Sequence, residues 1–223
     1  MSTVDPATPS GSSSALLGFV PGLLIRPAQT WDKIRAGVDR GQIRPTGLLV
    51  SFVLILAAVT PLAKLVGSPA TYWPQTLAPF GLLGHTGLTQ LLLTFVQSVA
   101  GYFVMAYTLD MFAKRFGGTP GRAQAFALSA FSGTAYWLAG IFYAIPGLSW
   151  LGVVGLYSLW LLYTGAGPMM GIAREKTPKY LLVVLLVSLL VQLILTILVA
   201  GVFSAGGVVG NAANLAYDVG KGL

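Results

Sequence analysis

The stretch from Leu156 to Val184, LYSLWLLYTGAGPMMGIAREKTPKYLLVV, opens and closes as apolar helix. Between the two runs lie Gly165-Ala-Gly-Pro168, Met169, Met170 and a basic turn with Arg174, Lys176 and Lys179. Two apolar runs around one basic turn read as helices that cross a membrane in opposite directions. Pro168 has no N–H for the Thr164 carbonyl, and its ring clashes there, so a kink or local unwinding is expected. Gly165 and Gly167 let another backbone come close. Tyr163 and Thr164 can satisfy carbonyls freed by the break. The break reads either as a kinked packing helix or as a conformational joint or lipid pocket under a basic rim. In the second case Tyr157 belongs to the same helix face region, and Met169 and Met170 supply adaptable apolar walls.

The rest of the chain has the same character. Of its 223 residues, 55% are hydrophobic and 9% charged, where soluble domains carry about 25% charged residues. Apolar segments fall at about residues 46–66, 86–111, 123–145, 148–172 and 180–203. Each can cross a hydrocarbon core of about 30 Å at about 1.5 Å per residue. Backbone groups in lipid must pair internally, and these runs do not alternate as barrel strands do, so helices are expected. The expected fold is an all-α integral membrane protein of five transmembrane helices with an N-terminal interfacial helix. Residues 46–203 would form the bundle. A Ser/Pro/Thr-rich tail at 1–18 is expected to be disordered, with an amphipathic segment at 19–45 and an external tail at 204–223. The start lacks a basic n-region, so the first span is expected to act as an uncleaved insertion signal.

The cations set the orientation. Arg26, Lys33, Arg35, Arg40 and Arg44 precede the first span; Lys114, Arg115 and Arg122 join the second and third; Arg174, Lys176 and Lys179 join the fourth and fifth. All of these fall on one side, which leaves Lys64 and Lys221 for the other. The positive-inside rule then puts the N-terminus in the cytoplasm and the C-terminus outside, as an odd number of spans requires. The formal net charge of +7 reads as topology signal and headgroup contact, not as nucleic-acid binding.

The segment GFVPGLLIRPAQTWDKIRAG, residues 18–37, is interrupted by Pro21 and Pro27 and is not a span. Trp31, Ile34 and Val38 make an apolar stripe at helical spacing, with Thr30 as an N-cap. Two readings fit equally: a helix lying on the leaflet, or one docked on the ends of the bundle. In the first, Trp31, Lys33, Arg35 and Arg40, with Arg174, Lys176 and Lys179, would contact headgroups. The Tyr72/Trp73 loop at residues 68–87 reads as an aromatic anchor on the far side.

Chemistry is scarce. There is no cysteine, and there are six acidic residues and one histidine. Asp5, Asp32, Asp39, Glu175 and Asp218 fall in loops or tails, and no two carboxylates share a helix face at catalytic spacing. His85 has no ligand partners nearby and reads as a surface histidine. No nucleophile elbow, zinc-helix motif or phosphate-binding loop occurs. No cofactor, metal or enzymatic activity is expected. Asp110 ends the second span; a salt bridge to Lys114, or to a cation of the fourth-to-fifth loop, outweighs a proton or ion site. Gln90, Thr94, Gln97 and Gly101 form one polar, small-residue stripe on the second span. Interhelical hydrogen bonding outweighs a polar cavity, which Gln192, Ser129, Ser132 and Thr134 could also line.

The run Tyr157-x5-Tyr163-Thr-Gly-x-Gly-Pro-Met-Met, then Lys176-Thr-Pro-Lys-Tyr180 and a long apolar helix, resembles the Yip-one family of five-span membrane proteins, in its bacterial branch. So does Pro27-x3-Trp31-x2-Ile34 before the first span. The resemblance covers roughly Pro27 to Phe203. It implies a cytoplasmic N-terminus, five helices, no known catalysis and a place in a bacterial inner membrane. Eukaryotic relatives bind prenylated Rab-type GTPases, but their Asp-Leu-Tyr-Gly-Pro signature is absent; the nearest match, Gly165-Ala-Gly-Pro168, lacks the acid. The expected role is a non-enzymatic scaffold, or a protein that interacts with lipids or partners. Expected partners are membrane lipids, further copies of the chain and a cytoplasmic protein. The alternative is a small transporter or channel lined by the second, fourth and fifth spans, with Asp110 at its mouth.

Overall fold

The computed structural model describes residues 13–67, 87–119, 121–145 and 147–221, and the side chains of these except 65, 87–91 and 200–221. The 68–86 loop with His85, the side chain of Gln90 and the 1–12 tail lie outside the described residues. Regular structure among the described residues is helical throughout. Five helices are long and apolar enough to cross a membrane: Pro45–Lys64, Leu92–Phe116, Arg122–Ala144, Ser149–Met170 and Thr177–Val199. The chain is thus a multi-pass membrane protein. The five helices alternate, so one end of the bundle gathers the starts of the first, third and fifth spans and the ends of the second and fourth. All the basic loops meet there, and this end is called the basic end below.

Several spans deviate from regular helix where they pack. The first carries a wider π turn at Leu49–Val53, with Phe52 and Val53 both fully buried. The third breaks at Gly133, resumes at Thr134–Ala139 and tightens to a 3₁₀ turn at Gly140–Ala144. A Cβ on Gly140 would overlap Thr60 of the first span, so glycine there sets how close these two helices lie. The third span is central, with 72% of its window buried, against 11% for the fifth. Phe126 packs edge-on against Tyr102, Phe103 and Tyr107 of the second span, and Phe131 packs tilted against Phe52 of the first.

Before the first span, three short helices follow one another: α1 (Ser13–Leu17), α2 (Phe19–Ile25) and α3 (Pro27–Asp39). α2 and α3 form a hairpin with Arg26 at its apex. Arg26 donates its N–H to the Gly22 carbonyl at 2.7 Å, and its own carbonyl accepts from the Thr30 N–H and Thr30 Oγ1. Arg26, not Thr30, therefore holds the N-cap position of α3. A Cβ on Gly22 would stand 2.8 Å from Thr30 Oγ1, so glycine brings the two arms together. Ser13–Leu17, near the end of the 1–18 stretch expected to be disordered, form α1, whose Leu16 is buried.

The fifth helix runs without interruption from Thr177 to Lys221. An external tail was expected at 204–223; the helix continues through it to Lys221. The segment has glycines, each costing about 1 kcal/mol in a helix interior, but no proline after Pro178 to stop it.

Candidate functional site

α3 lies along the fourth span. Tyr157 Oη donates to the Leu24 carbonyl at 3.0 Å, Trp31 Nε1 to Thr164 Oγ1 at 3.2 Å, and Arg35 Nη1 to the Pro168 carbonyl at 3.1 Å. Each pair is separated by the same 133 residues. A constant offset means that the two segments run parallel and in register. The fourth span ends at the basic end, so α3 starts deep and emerges there. From Leu24 to Arg35 the hairpin thus reaches roughly 16 Å along the fourth span, at about 1.5 Å per residue. Of the two readings of this segment, docking on the bundle describes its geometry. The hairpin is moreover inserted beside the span and does not lie across its end.

Gly165 makes the docking possible. A Cβ there would come within 2.6 Å of Leu128 Cδ1 and 2.7 Å of Trp31 Cε2. The indole of Trp31 fills that space and is fully buried. Trp31 was expected at the headgroups; it is instead an internal anchor, because its apolar stripe with Ile34 and Val38 faces protein. Thr164 accepts the indole N–H and donates back to the Trp160 and Leu161 carbonyls.

Pro168 sits in the last turn, two residues before the helix ends at Met170. The break is therefore a terminus rather than a mid-helix kink. An α-helix leaves its last four carbonyls without intrahelical partners. Here all four are satisfied. Gly167 accepts from the Gly171 N–H at 2.9 Å, with Gly171 at φ 67°. Pro168 and Met169 both accept from Arg35 Nη1, at 3.1 and 2.7 Å. Met170 accepts from the Thr119 N–H at 2.9 Å, which brings the second-to-third loop onto the same helix end. A guanidinium at a helix C-terminus also opposes the negative end of the helix dipole. Arg35 was expected to meet headgroups, but its planar fork is engaged by these carbonyls and by Asp39.

Asp39 completes the cluster. Arg35 Nε reaches both of its oxygens, at 2.9 and 2.7 Å, and Gln124 of the third span donates to Oδ1 at 3.1 Å. The hydrogen bond from Arg35 holds the Asp39 carboxyl below its ordinary range; partial desolvation opposes this, and Gln124 adds to it. Met169 and Met170 are fully buried and wall no open pocket. Lys33, Arg40, Arg174, Lys176 and Lys179 are exposed at the basic end. Tyr163 is also exposed, stacked on Trp160 with ring centroids 5.8 Å apart.

The other candidates separate from this cluster. Gln97 Nε2 donates to Thr196 Oγ1, and Gln192 Nε2 to the Gln97 carbonyl at 3.2 Å. The stripe of the second span therefore meets the fifth span, with Gln192 also beside Gly101. Ser129 donates to the Tyr102 carbonyl at 2.9 Å and Ser132 to that of Ser129, so both serve packing. The backbone of Thr94 accepts from Ser98 at 2.9 Å. Among the described residues the ion pair is Arg35–Asp39. Asp110 makes none with Lys114: its Oδ1 is buried without a partner, whereas Lys114 is exposed at the start of a 3₁₀ turn. Sequence reasoning missed Tyr180, which donates to the Leu109 carbonyl at 2.7 Å and ties the fifth span to the second. It also missed Thr119 and Gln124, whose only sequence signal is a polar group near a helix end. No group of three potential metal ligands occurs among the described residues.

The family model of the Yip1 domain matches residues 22–212, from inside α2 to the far part of the fifth helix. No curated protein and no solved structure matches the chain. The matched range takes in the hairpin, the closed end of the fourth span and all five crossing helices: the chain belongs to the Yip1 domain family.

Proposed function

We propose that this Yip-type membrane protein is a non-enzymatic scaffold whose basic end is a preformed face for lipids or a protein partner. One observation carries the reading: all four carbonyls in the last turn of the fourth span are satisfied, three of them by groups from distant segments. Arg35 and Thr119 bring the hairpin and the second-to-third loop into one rigid platform. Around it stand exposed cations, Lys33, Arg40, Arg174, Lys176 and Lys179. Rigid cationic surfaces at a bilayer attract anionic headgroups at about 1 kcal/mol per Lys or Arg. The concentration of cations at that end supports a cytoplasmic N-terminus and an external C-terminus, and the bacterial branch that the sequence resembles supports an inner membrane. A reporter fused after Leu223 is expected to read external.

Native mass spectrometry of the purified protein in mild detergent tests the platform. Retained anionic lipid, or a defined oligomer, is the expected result. A lipid-free monomer would remove the basis of the reading. The transporter alternative finds less support, because Gln97, Gln192 and Thr196 hydrogen-bond across the second and fifth spans, with Gln192 Oε1 left without a partner. Asp110→Asn is expected to leave ion flux unchanged in reconstituted vesicles.

A further inference from the structure

We infer that the groove on the outer flank of α3 holds one phospholipid of the phosphatidylethanolamine class, with its phosphate between Lys33 and Arg40 and its amine toward Asp32. The inference rests on the reading that the basic end meets lipid, and it gives that reading a specific site.

The groove has a volume of about 540 Å³, within the size range of ligand sites. Lys33, Ala36, Gly37 and Arg40 form one of its walls, at i, i+3, i+4 and i+7 of α3. A turn folded back on the helix forms the other. Gln42 and Ile43 both give their N–H groups to the Gly37 carbonyl, at 2.9 and 3.1 Å, after Gly41 at φ 70°. Ile43 Cδ1 then occupies the place where a Gly37 Cβ would stand, 2.8 Å away. The pocket is thus built by the C-terminal cap of α3 and not left by loose packing.

Its polarity follows the membrane normal. Arg35, two residues beyond Lys33, touches the end of the fourth span, so Lys33 stands near the level of that end and Arg40 beyond it. Phe19, on the opposite side of the groove, packs edge-on against Phe131 with centroids 5.9 Å apart. Phe131 lies roughly 14 Å along the third span from Arg122. A groove with cations at the surface and an aromatic wall at acyl depth matches the amphipathic axis of a phospholipid.

The charges choose the headgroup. Lys33 forms no ion pair or hydrogen bond among the described residues, and Arg40 spends one N–H on the Ala36 carbonyl at 3.0 Å. Two long side chains about 10.5 Å apart along the helix can converge on one phosphate. Asp32 shares the groove and also lacks an ion-pair partner among the described residues. A carboxylate beside two cations opposes a purely anionic head but accepts hydrogen bonds from a primary ammonium. A choline head has no N–H to give.

The test reconstitutes the full chain into nanodiscs of mixed phosphatidylethanolamine, phosphatidylglycerol and phosphatidylcholine, then counts lipids retained after gentle extraction. One phosphatidylethanolamine per protomer is expected. Lys33→Gln with Arg40→Gln is expected to weaken its retention about tenfold or more, as loss of charge-assisted hydrogen bonds implies. Asp32→Asn is expected to remove the preference for phosphatidylethanolamine over phosphatidylglycerol. Replacing Arg174, Lys176 and Lys179 with Gln should leave that lipid in place. These positions are exposed, and thermal unfolding confirms that each variant is folded. Retention unchanged in the Lys33/Arg40 variant, or phosphatidylcholine held as well as phosphatidylethanolamine, overturns the site. An equal loss of anionic lipid from both sets of variants also overturns the site but leaves the broader platform standing. A wild type that retains no lipid overturns both.

Discussion

The fourth span and the fifth span meet the rest of the protein in different ways. The fourth is clasped at its end by residues from the hairpin and from the second-to-third loop, which close three of its four terminal carbonyls. The fifth leans on the second through a short polar ladder, Tyr180 to Leu109, Gln192 to Gln97 and Gln97 to Thr196. Lipid tails are as apolar as leucine, so apolar faces gain little by leaving lipid for protein. The difference lies in what replaces that missing drive. At the fourth span it is a buried indole in a glycine notch and a guanidinium on bare carbonyls. At the fifth it is one buried ring near the start of the helix, Tyr180 edge-on to Phe116, and beyond it hydrogen bonds between helices that already satisfy their own backbones. The clasp should therefore be rigid and the fifth helix the more easily displaced.

Trp31→Ala should give the largest effect, because it empties the notch over Gly165. Large-to-small substitutions of buried aromatics cost about 3–5 kcal/mol. Thermal unfolding in detergent should fall accordingly, and limited proteolysis should cut the hairpin first. Arg35→Ala comes next. It leaves the Pro168 and Met169 carbonyls unpaired and removes the partner of Asp39, at about 3 kcal/mol. Arg35→Lys should recover little, since one ammonium cannot reproduce the fork. Gln97→Leu should cost only about 0.6–2 kcal/mol, read as easier separation of the second and fifth spans in a crosslinking assay. If it cost more than Arg35→Ala, the contrast between the two regions would be inverted.

The smallest effect is set by pH. The carboxyl of Asp39 titrates lower in the folded protein than in the unfolded chain. Its contribution is thus fully present above the ordinary aspartate value of about 3.9 and lost as pH falls below it. Proteolysis of the hairpin should rise modestly in that acid range, and Asp39→Asn should remove the pH dependence while leaving Trp31 in place.

Much of this was legible beforehand for a physical reason. Each span is a local property of its own residues, and the Gln97 stripe and the Gly165 notch follow from helical spacing. The direction of α3 was not legible. Phe19–Ile25 is too short to cross a membrane, and the Trp31–Ile34–Val38 stripe looks the same whether it faces lipid or protein. Arg35 reads as a headgroup contact until the helix end that it caps is known to stop at Met170. Asp110 and Lys114 have ideal spacing for a pair, yet the turn tightens at Lys114 and leaves the two in different surroundings. Contacts that join positions 133 residues apart leave no periodicity in either segment.

That fixed offset also bears on how the protein is made. The hairpin is synthesised well before the helix that receives it, which is completed only after three further crossings. Until then Trp31 and Arg35 lack their partners on the fourth span, and closing so long a loop carries an entropic cost that local pairing escapes. The N-terminal segment must wait at the membrane, in a form available to chaperones or lipid, while the bundle is assembled. The clasp can be set only once the fourth span is in place, and it records that this span has been inserted in the correct direction.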